Sequence, residues 1–142
     1  MTPFHLAFPV RDLDETRRFY QDVLGCAIGR SSDSWVDFDL FGHQMSAHLR
    51  PQATAAARDG QVDGVAVPIP HFGVVLLMDQ WRELAERLEA NNATDWLEKP
   101  MVRFKGEPGE QATLFIRDPS GNALEFKSMA NPENLFARIP GR

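Results

Sequence analysis

The order of predicted elements in this chain repeats once, and that repeat limits the possible folds more than any other feature. Residues 4 to 50 are predicted to form strand, helix, strand, strand, strand, and residues 71 to 128 repeat that order although the amino acids differ. Residues 51 to 70, rich in Ala, Asp, Gly and Pro, are typical of a linker. We therefore predict an α+β chain of two βαβββ modules within one domain, followed by a tail over residues 129 to 142.

Length and composition favour one compact domain. The chain has 142 residues, 43% of them hydrophobic and 25% charged, which suffices for one core but not for two large domains. A net charge of −5 with scattered basic residues argues against nucleic-acid binding. No apolar stretch approaches the roughly 18 residues of a membrane span and no signal pattern is visible, so we expect a cytoplasmic protein without a membrane partner. The single cysteine, Cys26, excludes an internal disulfide and is expected to be buried.

Three predicted strands each carry one ionisable residue among apolar ones. Strand alternation places His5, His71 and Glu125 on one face of their strands and bulky apolar side chains on the other. The next residue on the ionisable face is alanine or glycine in each case, which leaves room for a ligand. Two histidines and one carboxylate with open positions form the donor set that holds Fe²⁺ and related metals. We predict one divalent metal ion on these three side chains, Fe²⁺ first, with Mn²⁺, Ni²⁺ and Zn²⁺ left open.

The repeat and its sequence motifs resemble a known family. The opening at His5, the His-Phe-Gly opening at residues 71 to 73 and the closing Arg-Asp-Pro-Ser-Gly-Asn-Ala-Leu-Glu-Phe at residues 117 to 126 are similar to the vicinal oxygen chelate superfamily. This superfamily includes glyoxalase I, extradiol dioxygenases, fosfomycin-modifying thiol transferases and bleomycin-resistance proteins. The resemblance covers residues 4 to 128. It implies that the modules form a cupped mixed sheet around a metal and ligand cavity, and it assigns the same three residues as ligands.

The family's fourth ligand position falls on residues 44 to 48. Gln44, Ser46 and His48 share one strand face, so His48 is expected to point into the cavity. It fits either a fourth ligand or an acid–base group near the metal. We favour the acid–base role, because glyoxalases usually carry a carboxylate at this position, whereas ring-cleaving dioxygenases hold three ligands and keep a nearby histidine.

Several other polar residues receive ordinary structural interpretations. Asp37 and Asp39, on one strand face, are expected to be solvated, and His43 is expected to be exposed in a turn without a role. Arg103 and Arg117 are expected to be surface residues, with binding of an anionic substrate group as the alternative.

Among the reactions that the resemblance implies, extradiol ring cleavage of a small oxygen-chelating substrate is our first expectation, with His48 as the base. Ring-cleaving relatives typically place a tyrosine near the metal. Here the only tyrosine, Tyr20, lies on the first helix, and Phe115 takes the inward position, on the face expected for Glu125. This departure from the family pattern weakens the case for ordinary catechol cleavage.

The alternatives come from the same superfamily. Glyoxalase-type isomerisation usually needs carboxylates on opposite sides of the metal, and only Glu125 is offered here. For thiol transfer to fosfomycin the ligand set and length match, but no basic cluster stands out. A metal-free drug-binding protein of the bleomycin-resistance type is the alternative of another class, and it leaves the three predicted ligands unexplained. We also expect a homodimer, because two-fold assemblies are the commonest.

Overall fold

The computed structural model describes residues 2–54 and 67–138 and contains two four-stranded mixed sheets. The chain divides into two compact units. The first unit is Met1–Val67 together with the short segment Asp118–Asn122, and the second is Pro68–Arg117 with Ala123–Arg142. These units follow the predicted modules except that the segment Asp118–Asn122, a turn, clusters with the first unit. The predicted linker lies partly outside the described residues, at positions 55–66, as does the end of the tail.

The first unit has the predicted βαβββ order. Its sheet has the order β1-β4-β3-β2, with β1 parallel to β4 and the other neighbours antiparallel. The Asp12 carboxylate accepts the Glu15 backbone N–H at 2.8 Å and so starts the helix. The predicted long helix is instead a short α-helix that continues as a wider π-helical turn. The elements are β1 His5–Val10, α1 Leu13–Arg17, the π-helical turn Arg18–Val23, β2 Ala27–Ser31, β3 Trp35–Leu40, β4 His43–Leu49 and a 3-10 turn Pro51–Ala53.

The second unit repeats this order. Its sheet has the order β5-β8-β7-β6, again with the first strand parallel to the last. The helix α2 is amphipathic, and its buried face includes Trp81, whose indole N–H donates to the Phe126 carbonyl at 2.9 Å. Its elements are β5 Phe72–Val75, α2 Met78–Glu89, β6 Asp95–Arg103, β7 Gln111–Arg117, β8 Ala123–Met129 and a 3-10 turn Pro132–Asn134.

Each sheet buries the bulky apolar side chains of one face, as strand alternation predicts, and in β7 the residues of both faces are buried. In the first unit the ring of Tyr20, which is fully buried, stacks on Phe38 with the ring centroids 5.0 Å apart. Cys26 is buried, as expected from its apolar neighbours. The opposite sheet face carries polar side chains, and we call it the polar face of the unit. Other buried apolar residues of this unit include Val10, Val36, Leu40, Met45 and Ala47.

The turn Asp118–Asn122, which belongs to the first unit, joins β7 to β8 and is held by hydrogen bonds within that unit. The Tyr20 hydroxyl donates to Asp118 Oδ2 at 2.8 Å, and the Asn122 side-chain amide donates to the Pro9 carbonyl at 3.0 Å. Burial raises the pKa of Asp118, against the lowering effect of hydrogen bonds from Asn122, Tyr20 and the turn backbone. Burial also raises the pKa of Tyr20 well above its ordinary value, and the Asp118 charge adds to this. No helix in the described residues is long and apolar enough to cross a membrane.

Candidate metal centre

His71 and Glu125 come together on neighbouring parallel strands of the second unit. His71 directly precedes β5, and Glu125 lies in β8 opposite Gly73. His71 Nε2 lies 3.3 Å from Glu125 Oε1, with 29% and 16% of the two side chains exposed. The structure thus pairs two of the three predicted ligands at a partly exposed position.

The hydrogen bond of His71 to the backbone shows which ring nitrogen carries the hydrogen and which one faces Glu125 with a lone pair. His71 Nδ1 lies 2.8 Å from the Pro68 carbonyl oxygen, which only accepts hydrogen bonds, so Nδ1 carries the hydrogen. In the neutral ring Nε2 then points its lone pair at the Glu125 carboxylate. Two lone pairs this close need a proton or a metal ion between them. A backbone carbonyl that fixes the Nδ1–H tautomer is a usual partner of a metal-binding histidine.

The separation of these two atoms fits a shared metal ion. Two ligand atoms bound at about 2.1 Å and at angles of about 90 to 110° lie roughly 3.0 to 3.4 Å apart. The 3.3 Å between His71 Nε2 and Glu125 Oε1 falls within that range. An imidazole nitrogen and a carboxylate oxygen are ligands common to Fe²⁺, Mn²⁺, Ni²⁺ and Zn²⁺. The pair therefore fits a divalent metal both in spacing and in donor chemistry.

Two residues of β7 hold the pair in place. The Thr113 hydroxyl, fully buried, donates to Glu125 Oε2 at 2.6 Å. Phe115 pairs with Glu125 across the sheet and so shares its face, as predicted, and its ring meets the His71 ring edge-on with the centroids 5.1 Å apart. Our sequence analysis did not single out Thr113. Its position two residues before Phe115 puts it on the same strand face, so alternation alone contained that signal.

Gly73 permits the close approach of β5 to β8. A Cβ at this position would lie 1.5 Å from the Glu125 carbonyl oxygen, well inside any real contact. A glycine is required where two backbones approach this closely. Gly73 is therefore part of what sets the separation of His71 and Glu125.

In the first unit, His5 is also oriented through Nδ1. This atom lies 2.8 Å from Gln44 Oε1, and the Gln44 amide nitrogen donates to Asp37 Oδ2 at 3.3 Å. Because the carboxylate accepts from the amide nitrogen, the amide oxygen is left to face His5, so Nδ1 of His5 carries the hydrogen. The second oxygen of Asp37, Oδ1, accepts from the Ser46 hydroxyl at 2.6 Å. The Nε2 lone pair of His5 is therefore available to a metal.

Two expectations about this unit are wrong. Asp37 is only 6% exposed, because Ser46 and Gln44 bond to it on the polar face, so it is not a solvated strand residue. Its strand neighbour Asp39 is exposed, as expected. His43 is half-buried at the start of β4, where its Nδ1 accepts the Phe4 backbone N–H at 2.9 Å. His43 therefore has a structural role in joining β1 to β4.

His48 lies at the far end of β4 from Gln44. It is half-buried, and it pairs with Trp35 on β3 and with Pro9 on β1. Cross-strand partners share a sheet face, and residues four apart in one strand do as well, so His48 belongs to the polar face that carries Gln44 and His5.

Arg103 and Arg117, the two arginines considered as anion-binding candidates, each face a carboxylate. Arg103 donates to Glu98 at 2.8 Å, while its Nε is buried and has no hydrogen-bond partner among the described residues. Arg117 lies 4.0 Å from Asp95. Both side chains are partly exposed, as expected for residues near the surface.

The full three-ligand set stays a prediction. Within residues 2–54 and 67–138, no group of three His, Cys, Asp or Glu side chains is arranged to hold a metal ion. The structure pairs His71 with Glu125 in the second unit, and it places His5 and His48 on the polar face of the first.

Comparison with known proteins identifies the family. The model of the Glyoxalase/Bleomycin resistance protein/Dioxygenase superfamily matches residues 2–126. The chain belongs to this superfamily. The resemblance to vicinal oxygen chelate proteins drawn from the sequence is thereby confirmed, as is the fold of two βαβββ modules with one mixed sheet each.

Solved structures of superfamily members show the same fold. A glyoxalase/bleomycin resistance protein/dioxygenase from Alicyclobacillus acidocaldarius is 31% identical, with a TM-score of 0.78 over 95% of this chain and 96% of that one. The fosfomycin resistance protein FosX from Listeria monocytogenes is 16% identical, with a TM-score of 0.66 over 94% and 97%. A lactoylglutathione lyase from Agrobacterium tumefaciens is 23% identical, with a TM-score of 0.58 over 89% and 92%. At these identities the last two comparisons concern the fold alone.

Proposed function

We propose that this chain is a divalent-metal-dependent enzyme of the vicinal oxygen chelate type in which His5, His71 and Glu125 hold the metal ion. We propose further that it cleaves the ring of a small catechol-like substrate with dioxygen. The observation that supports this proposal best is the His71–Glu125 pair. Its two facing acceptor atoms are 3.3 Å apart, and the other nitrogen of the imidazole is committed to the Pro68 carbonyl.

The chain's own residues have distinct roles in this scheme. A bound divalent metal would supply open positions for two adjacent oxygen atoms of a substrate, together with charge to stabilise them as anions. Thr113 occupies one oxygen of Glu125 and leaves the other for the metal. Phe115 covers one side of the His71 ring and so limits access of water there. His48, on the same polar face as His5, is the proposed base that takes a phenolic proton.

Ring cleavage is favoured over isomerisation by the residues around His5. An isomerase of the glyoxalase type usually needs a carboxylate on each side of its metal. In the first unit the neighbour of His5 is the neutral amide of Gln44, and the Asp37 carboxylate bonds to that amide and to Ser46. Ring cleavage places both atoms of dioxygen in the product and breaks one ring C–C bond, so it consumes no external reductant.

The assembly and setting are also proposals. We propose that the enzyme is a cytoplasmic homodimer acting on a small molecule, since two-fold assemblies are the commonest among soluble oligomers.

Metal content is the experiment that tests the proposed function. Untagged protein, purified without oxygen, is stripped and then offered Fe²⁺, Mn²⁺, Ni²⁺ and Zn²⁺ in turn. We expect about one metal ion per chain, lost in His71→Ala and kept in His43→Ala, whose ring bonds to the Phe4 backbone instead. Equal metal content in the two variants would contradict the proposed centre.

The reaction is tested next on the metal-loaded protein. Oxygen uptake with catechols, together with a yellow ring-opened product, would support the dioxygenase proposal. Turnover of a hemithioacetal, or of fosfomycin with a thiol, in place of catechols would instead indicate the isomerase or the transferase. Protein that binds none of the four metals would indicate a metal-free binding protein.

A further inference from the structure

The polar face of the first unit carries a cavity of about 350 Å³. Gly29 and Arg30 on β2, Asp37 on β3, and His43 and Gln44 on β4 are among the residues that line it. Gly29 has no side chain to fill the space above Asp37, and a Cβ there would lie 3.4 Å from Asp37 Cβ. This volume is in the range of cavities that take small organic ligands. The other lining residues are Pro3, Phe38, Asp39 and Gly42.

The Asp37 carboxylate in this cavity has unused hydrogen-bonding capacity. An ionised carboxylate accepts up to about four hydrogen bonds. Oδ1 of Asp37 has one short bond, from Ser46 at 2.6 Å. Within the part of the chain that the structure describes, Oδ2 has one long bond from Gln44 at 3.3 Å and a guanidinium nitrogen of Arg30 at 3.9 Å, beyond hydrogen-bonding distance. Because only 9% of this side chain is exposed, water replaces the missing donors poorly.

The charges around the cavity favour a cationic ligand. Two carboxylates, Asp37 and Asp39, line it together with one cation, Arg30. The Arg30 side chain is 82% exposed and its guanidinium lies 5.6 Å from the Trp35 ring, so its charge is well hydrated at the edge of the cavity. His43 uses Nδ1 to accept the Phe4 N–H. The buried charge is therefore negative, on Asp37.

From this geometry we infer that the cavity binds the protonated amine of a small organic molecule, with Asp37 as the acceptor. An ammonium group supplies short donors to Oδ2 and neutralises a carboxylate that is only partly compensated. The link to His5 through Gln44 places this subsite next to a predicted metal ligand. As a determinant of substrate specificity the subsite rests on the proposed function, whereas binding of the amine needs no metal.

Three probes of similar size separate charge from shape. Metal-free, ¹⁵N-labelled full-length protein is titrated with 2-phenylethylammonium, phenylacetate and 2-phenylethanol, and amide shifts are followed by NMR. We expect 2-phenylethylammonium to shift the amides of Gly29, Gly42 and Gln44, and to bind at least tenfold more tightly than the other two. Phenylacetate binding as tightly as the ammonium, or none of the three shifting these amides, would overturn the inference.

Variants test the role of Asp37 directly. Asp37→Asn removes the charge at nearly constant volume and should weaken ammonium binding at least tenfold, while Asp33→Asn, in the exposed loop after β2, should leave it unchanged. Should Asp37→Asn fail to fold, Gly29→Val fills the cavity without altering the carboxylate and should also abolish the shifts. Undiminished binding in a folded Asp37→Asn or Gly29→Val variant would overturn the inference. Metal content is measured separately, so loss of the metal proposal leaves this result intact.

Discussion

The Thr113 hydroxyl donates to Glu125 Oε2 at 2.6 Å from a fully buried position, while Oε1 of the same carboxylate faces His71. The two oxygens of Glu125 are therefore differentiated by their partners. One is held by β7, and the other is directed at the imidazole. A carboxylate held in this way presents a single oxygen to a metal ion, and partners of this kind commonly tune metal affinity.

Replacement of Thr113 by valine should weaken metal binding without loss of the fold. Valine keeps the shape and removes the donor, so Glu125 gains freedom to rotate, and we expect an affinity loss of roughly 10- to 100-fold. Calorimetric titration with Ni²⁺ measures it. Thr113→Ser retains the hydroxyl and should bind within a few-fold of the original protein. An unchanged affinity in Thr113→Val would contradict a role of this hydrogen bond in orienting Glu125 toward a metal ion.

Gly73→Ala should destabilise the second unit strongly. The new Cβ would meet the Glu125 carbonyl at 1.5 Å, so the β5 and β8 backbones must separate. We expect the free energy of unfolding to fall by about 3 kcal/mol or more, measured by urea denaturation. Gly29→Ala is the matched control, since its Cβ finds an ordinary contact at 3.4 Å, and its effect should stay below about 1 kcal/mol. Similar effects of the two substitutions would contradict this account.

The contrast between Phe115 and Asp37 shows how far the sequence leads. Phe115 could be placed on the same sheet face as Glu125, because a tight turn joins their strands and the two-residue period then fixes the shared face. The same period places Asp37 on the polar face, but it does not reveal that Ser46 and Gln44 lie beside it. Burial of a polar residue depends on cross-strand register, which the pattern of one strand does not contain. The role of Gly73 likewise depends on how closely two strands approach.

Removal of the Tyr20 hydroxyl should cost more stability at neutral pH than in acid. Burial holds the Asp118 pKa above its ordinary value of 3.8, and the hydrogen bond from Tyr20 opposes that rise. A raised carboxyl pKa in the folded state means that stability is lost as pH rises through that folded value. Tyr20→Phe removes a hydrogen bond that lowers the Asp118 pKa, so the pKa of Asp118 in the folded protein rises further and more stability is lost at neutral pH.

We expect a cost of about 1 to 3 kcal/mol for Tyr20→Phe near pH 7, shrinking toward pH 4. Urea denaturation of both proteins across this pH range measures it. Phe19→Leu, on the same helical turn and half-buried, is the control and should show a cost that does not vary with pH. A pH-independent cost for Tyr20→Phe would rule out the Asp118 carboxylate as the group responsible.

Gln44→Met tests whether His5 belongs to the metal centre. Among the described residues, Gln44 is the only hydrogen-bond partner of the His5 ring. This bond fixes which ring nitrogen of His5 carries the hydrogen. Methionine has a similar length but cannot accept that bond as an amide oxygen does, so the ring becomes free to rotate and to change tautomer. If His5 is a ligand, its loss of orientation should weaken Ni²⁺ binding by about tenfold. Calorimetric titration of Gln44→Met beside His5→Ala measures both effects. If His5→Ala loses Ni²⁺ affinity and Gln44→Met does not, Gln44 has a role in the sheet alone. Full affinity in both variants would remove His5 from the ligand set. His71 and Glu125 would then be a pair that another residue completes.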